Sequence, residues 1–192
     1  MTRLVLTVLA AGLAVAAPAS AQDYDARVDR VLAETPLIDG HNDLPEMLRE
    51  NAPDKRWTMD LQDISADPAQ YNTDIRRLRE GKVGGQFWSV WVSPTLPGDE
   101  QVIETLEQID LVKSIVARYP ETFALARTAA DVRRAHKAGR IASMIGVEGG
   151  GQIDGNLSIL RTYAALGAGY LTLTHSITID WADSATDNPQ HD

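Results

Sequence analysis

Residues 37–43, Leu-Ile-Asp-Gly-His-Asn-Asp, place two apolar residues directly before a run of polar ones. This pattern predicts a short buried strand that ends at a functional loop. His41 and Asp43 are two residues apart, so an extended backbone projects both side chains from the same face. An imidazole and a carboxylate on one face suit a shared metal ion. Because a His-x-Asp pair is common by chance, the spacing alone leaves metal binding open.

Three other stretches of the sequence have the composition of strands. Gly85 to Val92 is rich in aromatic and β-branched residues. Arg140 to Val147 is an apolar run that leads directly into Glu148 and three glycines, and Tyr170 to Thr174 is followed by His175. In each of these last two stretches a chemically reactive side chain follows the predicted strand.

The segments between the predicted strands have helical signals. From Asp99 to Tyr119 the apolar residues recur at helical spacing, with acidic residues in the first turn and Arg118 in the last. Thr128 to Asp131 has the form of a capping box before a helix that ends near Gly139. Further predictions are a helix over Asp67 to Lys82, a helix capped by Asp154 that continues through Leu166 and stops at Gly167 or Gly169, and a short extended segment over Phe123 to Ala126.

Strands and helices therefore alternate along the chain, which favours a parallel α/β sheet with right-handed crossovers. Functional residues are expected at the C-terminal ends of the strands, where such folds place their active sites. About four strand–helix units are recognisable, and residues 187–192 form a turn-like end. Since a closed barrel has eight units, we expect that the chain is truncated.

Composition and charge limit the classes of ligand. The 192 residues are 44% hydrophobic and 23% charged, as in soluble globular proteins. With 27 acidic and 18 basic residues the net charge is −9, which argues against a nucleic-acid partner. The chain has no cysteine, so a metal ion must be bound by histidine, aspartate or glutamate.

The first 21 residues resemble a secretory signal peptide. Arg3 precedes an apolar run from Leu4 to Ala17, and Ala19-Ser20-Ala21 supplies a small-residue cleavage pattern. The apolar run is shorter than the roughly 20 residues that span a bilayer. We therefore expect a signal peptide over residues 1–21, a secreted or periplasmic mature chain over residues 22–192, and no transmembrane segment after signal removal.

Two candidate residues have alternative interpretations at this point. Glu148 lies where an unpaired carboxylate is costly, so it either pairs with an arginine, caps a helix or bridges two metal ions. His175 is either a hydrogen-bonded core residue or a functional one. His136 belongs to a predicted exposed helix and is expected to be structural or inert. The tryptophans are interpreted as packing residues, namely Trp57, Trp88, Trp91 and Trp181. For residues 180–183, which follow His175 closely, the lining of a pocket is left open as an alternative.

Four motifs in order closely resemble the renal (membrane) dipeptidase family, peptidase family M19. The motifs are Pro36 to Pro45, Gly84 to Ser89, Gly146 to Gly150 and Tyr170 to Ser176. This resemblance implies an α/β fold, the (β/α)8 TIM barrel of metal-dependent hydrolases, with about the first half of the barrel in this chain. It also implies a centre of two Zn2+ ions in the full-length protein.

Transferred residue by residue, the resemblance makes His41 and Asp43 ligands of one zinc ion and Glu148 the bridge between both. His175 becomes the catalytic histidine on the substrate side, which faces the tetrahedral intermediate without binding zinc. The family's two histidines for the second zinc ion lie further along the sequence. Half of the metal centre is thus expected in these residues.

The function implied for the full-length protein is zinc-dependent hydrolysis of dipeptides by a metal-activated water. One alternative is another amidohydrolase-type activity on the same barrel, and a second is an inactive fragment that lacks the second half of the metal site. The expected partner is a dipeptide substrate, and a homodimer is left open.

Overall fold

A computed structural model describes residues 24–51, 61 and 71–191, and the structural statements below concern these residues. The predicted signal peptide at residues 1–21 lies outside them. The strands are β1 (Leu37–Asn42), β2 (Val83–Trp91), β3 (Phe123–Leu125), β4 (Ile141–Glu148) and β5 (Ala168–Thr172). The α-helices are α1 (Tyr24–Glu34), α2 (Leu44–Asn51), α3 (Ile75–Glu80), α4 (Gly98–Arg118), α5 (Ala129–Lys137) and α6 (Leu157–Leu166).

The five strands form one sheet in which every pairing is parallel. β2 lies between β1 and β4. The other edge of β4 is shared: β3 pairs with its first residues, Ile141 to Ser143, and β5 pairs with its last, from Ile145 to Glu148. The predicted parallel α/β sheet is therefore confirmed, and β1, β2, β4 and β5 lie side by side with their C-terminal ends at one edge.

One face of this sheet packs against the helices and forms the core. Trp88 and Val90 of β2 and Val147 of β4 are almost completely buried there. The ring of Trp88 meets the ring of Phe123 edge-on, with 5.8 Å between their centroids. Helix α4 contributes its apolar face to the same core, with Ile109, Leu111, Val112, Ile115 and Val116.

The ends of α5 and α6 follow the predicted sequence signals with one exception. The capping box of α5 is formed as predicted by Thr128 and Asp131. Helix α6 ends as predicted at Gly167, whose φ of 119° favours glycine. The predicted cap at Asp154 is wrong: Asp154 has a left-handed backbone at the end of a 3-10 turn, and Asn156 caps α6 by accepting from the Ser158 backbone N–H.

Two element boundaries and one predicted burial also differ from the structure. Helix α3 begins only at Ile75, where Asp74 caps it, and the part of the predicted helix before residue 71 lies outside the described residues. Strand β5 ends at Thr172, so His175 lies in the following loop. The short buried strand predicted at Leu37 and Ile38 is wrong in its burial: both are more than 40% exposed, because β1 is an edge strand with β2 as its one neighbour among the described strands.

None of the helices in the described ranges combines the length and the apolar character needed to cross a membrane.

Candidate metal centre

The carboxyl ends of β1 and β4 bring together three candidate metal ligands. His41 lies near the end of β1, Asp43 follows it, and Glu148 is the last residue of β4. The His41 Nε2 atom is 2.8 Å from Asp43 Oδ1 and 3.3 Å from Glu148 Oε2. Each residue offers one ligand atom, and these three atoms lie within 4.8 Å of one another. Residues separated by more than 100 positions in the sequence thus converge on one point.

This donor set fits a divalent metal ion. One imidazole nitrogen and carboxylate oxygens are ligands that zinc accepts in the absence of sulfur, and a site with three protein ligands keeps a position open. The side chains of His41 and Asp43 are almost half exposed, whereas that of Glu148 is mostly buried. A metal ion held here would therefore be anchored at Glu148 and accessible from the side of His41 and Asp43.

Hydrogen bonds fix the turn that carries His41 and Asp43. The Asp39 carboxylate accepts from the His41 backbone N–H, at 3.1 Å. Asn42 accepts from the Leu44 backbone N–H and donates through Nδ2 to the Thr73 hydroxyl, at 2.8 Å. These hydrogen bonds hold Asn42 in place, so His41 and Asp43 on either side of it are preorganised. A cavity of about 260 Å³ adjoins them, lined by His41, Asn42, Asp43, Leu44, Met47, Tyr71, Asn72 and Thr73.

Glu148 is held at both its backbone and its side chain. The hydroxyl of Ser89 in β2 donates to Glu148 Oε2 at 2.9 Å. The buried Gln152 donates to the Glu148 carbonyl and accepts from the Thr105 hydroxyl. Ser89 was missed as a site residue in the sequence. Its signal is strand alternation, which puts it on the same face as Trp91, the residue that pairs with Glu148 across the two strands.

His175 lies beside the three candidate ligands and outside their group. Its Nε2 atom is 3.6 Å from Glu148 Oε1, and its Nδ1 atom is 3.2 Å from Nε1 of Trp91. The loop that follows is fastened to it, because the Ser184 hydroxyl donates to the His175 carbonyl at 2.7 Å. The structure therefore brings all four predicted site residues to one end of the sheet. The two other histidines, His136 and His191, bond to backbone carbonyls elsewhere.

The site is strongly negative, and this affects two nearby groups. Burial, and then the charges of Glu50, Asp43 and Glu148, raise the pKa of Glu46 in α2 to about 7. Burial, and then the charges of Glu148 and Asp43, also raise the pKa of Tyr170 in β5. A negative potential of this kind attracts a cation.

Comparison with known proteins identifies the family. Residues 25–192 match the model of the membrane dipeptidase family, peptidase family M19. The chain belongs to this family. The dipeptidase ataJ of Aspergillus terreus is 41% identical over 172 residues, which cover 85% of this chain and 41% of that protein. An uncharacterized dipeptidase of Schizosaccharomyces pombe is 44% identical over 169 residues, which cover 82% of this chain and 40% of that protein.

The solved structures agree with the fold. The crystal structure of the dipeptidase AC, a metallopeptidase of family M19, has a TM-score of 0.62 and 27% identity to this chain. The match covers 73% of this chain and 43% of that one. The fold is therefore the α/β fold predicted, with a parallel sheet that forms part of the family's barrel. This chain spans about two fifths of the length of the relatives it matches.

Proposed function

We propose that the protein carrying this chain is a zinc-dependent dipeptidase. The observation that carries the proposal is the convergence of His41, Asp43 and Glu148 at the C-terminal end of the sheet. Family membership supports hydrolysis of peptides and the use of a metal, and the two relatives compared above are named dipeptidases. Because this chain spans about two fifths of their length, the proposed activity is that of the whole protein.

Zinc is the proposed metal, with two ions in the whole protein. The chain has no cysteine, and zinc readily accepts imidazole and carboxylate ligands. The two oxygens of Glu148 face different neighbours, since Oε2 is 3.3 Å from His41 and Oε1 is 3.6 Å from His175. This divergence suits a bridging carboxylate. Bound zinc ions supply Lewis acidity and activate water for attack on a carbonyl.

His175 is proposed to stabilise the negative charge that develops on the substrate oxygen. Its ring lies at the rim of the cluster with Nε2 directed toward the site, so a substrate carbonyl between the ring and the ligands would accept from it. A single donor of this kind is worth roughly 2.7–4 kcal/mol in other hydrolases. Export is a further proposal, carried by the signal-like residues 1–21.

Two alanine variants test the proposal by separating metal binding from turnover. In Glu148→Ala the bridge is missing, so we expect loss of bound zinc and of dipeptide hydrolysis. In His175→Ala we expect unchanged zinc content and a kcat reduced roughly 10²–10³-fold. Zinc per chain is measured by elemental analysis, and kcat and KM are measured with a set of dipeptides.

The matched control is His136→Ala, since His136 bonds to the Ala33 carbonyl and lies away from the cluster. It should keep both zinc and activity. Two zinc ions retained by Glu148→Ala would defeat the bridging role, and zinc lost from His175→Ala would make that residue a ligand. A folded, zinc-loaded protein without activity on any dipeptide would overturn the proposed substrate class.

A further inference from the structure

Trp91 makes a specific polar contact with the proposed catalytic histidine. It is the last residue of β2 and pairs with Glu148 of β4, so its side chain lies at the site end of the sheet. Its indole Nε1 is 3.2 Å from His175 Nδ1. The two rings meet at 71° with 5.6 Å between their centroids, which places the indole edge toward the imidazole.

The chemistry of the two rings decides the direction of this hydrogen bond. An indole N–H donates and never accepts, so Nδ1 of His175 must be the acceptor. A neutral imidazole carries one proton, which then lies on Nε2. Nε2 is the ring atom that faces Glu148 Oε1 at 3.6 Å. The contact therefore selects the tautomer that presents an N–H group to the site.

Among the described residues, no other hydrogen bond to the His175 ring competes with this one. The His175 side chain is 40% exposed, so without Trp91 water would be free to bond to either ring nitrogen. Trp91 is itself held firmly. Its backbone carbonyl accepts a hydrogen bond from the Gln108 side chain of α4. Its strand, β2, pairs with β4, and Trp91 itself lies opposite Glu148. A fixed donor on a rigid strand is well suited to orient a histidine that lies in a loop.

We propose that Trp91 is a positioning residue that holds His175 in the Nε2–H tautomer and directs this N–H at the substrate carbonyl. The inference rests on the proposed function, since it gives His175 the donor role. The proposal gives Trp91 a role that Trp88 of the same strand does not have, because Trp88 is 1% exposed and packs in the core.

Trp91→Phe in the zinc-loaded protein tests this inference, because it keeps an aromatic ring and removes the N–H. Nitrogen NMR of 15N-labelled histidine reports the tautomer of His175, whose signals are assigned with His175→Ala. We expect one Nε2–H form in the unmodified protein and a mixture of tautomers in the variant. Loss of one orienting hydrogen bond should lower kcat by roughly three- to tenfold, with KM and zinc content unchanged.

The matched control is Trp181→Phe. Trp181 is also partly exposed and lies in the loop after His175, but its indole packs on Gly150. The same chemical change there should leave the His175 signals and kcat unaltered.

Each result bears on one of the two claims. Unchanged His175 signals in Trp91→Phe would overturn the inference, even in an active dipeptidase. Altered signals with an unchanged kcat would also overturn it, since positioning would then have no catalytic effect. Failure of the unmodified protein to hydrolyse dipeptides would overturn the proposed function, and the tautomer measurement would still decide whether Trp91 orients His175.

Discussion

The two faces of the sheet use the same strands for different purposes. On β2, Trp88 and Val90 point toward the helices and are at most 1% exposed, while Ser89 and Trp91 point to the opposite face and contact Glu148 and His175. The helix-facing residues bury apolar surface, which is the main favourable term in folding. The residues that alternate with them, Ser89 and Trp91, contact the candidate site residues. Stability and function are therefore separable by single substitutions at adjacent positions.

The opposite face is not uniformly polar. Below the cluster, the ring of Tyr170 lies directly over Gly146 and packs against Phe87, with 5.3 Å between the ring centroids. A Cβ atom at Gly146 would lie 2.0 Å from the Tyr170 ring, so only glycine fits beneath it. This face thus has a packed layer of rings below a charged layer at the strand ends.

The difference between the two faces predicts the largest loss of stability for a substitution at Trp88. Trp88→Ala removes a buried ring from the core and should lower the free energy of unfolding by about 3–5 kcal/mol. Trp91→Ala, on the same strand, should lower it by only about 1 kcal/mol, because the indole is partly exposed. Urea unfolding followed by circular dichroism measures both. Equal losses would show that the two faces contribute alike to stability and would break the comparison.

A substitution far from the site should affect stability alone. Thr128 caps α5 by accepting from the Asp131 backbone N–H, and Asp131 accepts from the Thr128 backbone N–H in return. Thr128→Ala should therefore cost about 1 kcal/mol of unfolding free energy. Zinc content and kcat should be unchanged, with Thr128→Ser as the control that keeps the hydroxyl. A loss of zinc in Thr128→Ala would mean that the helix layer and the site are coupled.

The smallest effect concerns the stability cost of the charged site. The pKa of Glu46 is raised to about 7 in the folded protein, mainly by burial. Between the ordinary pKa of 4.5 and this raised value, the folded state holds a proton that the unfolded state releases. The stability of the fold is therefore unaffected by this carboxyl below about pH 4.5 and decreases as the pH rises through 7. Glu46→Gln removes the charge and should stabilise the metal-free protein at pH 8. Because the group is partly exposed, the gain should be at most about 1 kcal/mol.

Urea unfolding of metal-free protein at pH 4.5 and pH 8 measures this difference. At pH 4.5 the variant and the unmodified protein should be similar. Glu34→Gln, on the exposed face of α1, is the control for loss of a surface charge. A gain at pH 4.5 instead of pH 8 would contradict the direction of the pKa shift.

Local patterns were sufficient to predict most elements. The helical periodicity from Asp99 to Tyr119 corresponds to α4, and the apolar run before Glu148 corresponds to β4. The cap of α6 was assigned wrongly because Asp154 and Asn156 are both good capping residues, and a 3-10 turn, visible only in the fold, places Asp154 before the helix. The exposure of Leu37 depends on which strands are neighbours, and composition does not encode that.

The sequence by itself determined the family and most of the strands and helices, and it singled out four candidate site residues, since these depend on motifs and local periodicity. The candidates are His41, Asp43, Glu148 and His175. Only the tertiary structure decided which atoms meet. Parallel pairing of β2 with β4 places Ser89 against the Glu148 carboxylate and Trp91 against the His175 ring. These contacts depend on strand register and loop position, which are set by long-range packing. For this reason Trp91 is interpreted as a packing residue from the sequence and as a hydrogen-bond donor in the fold.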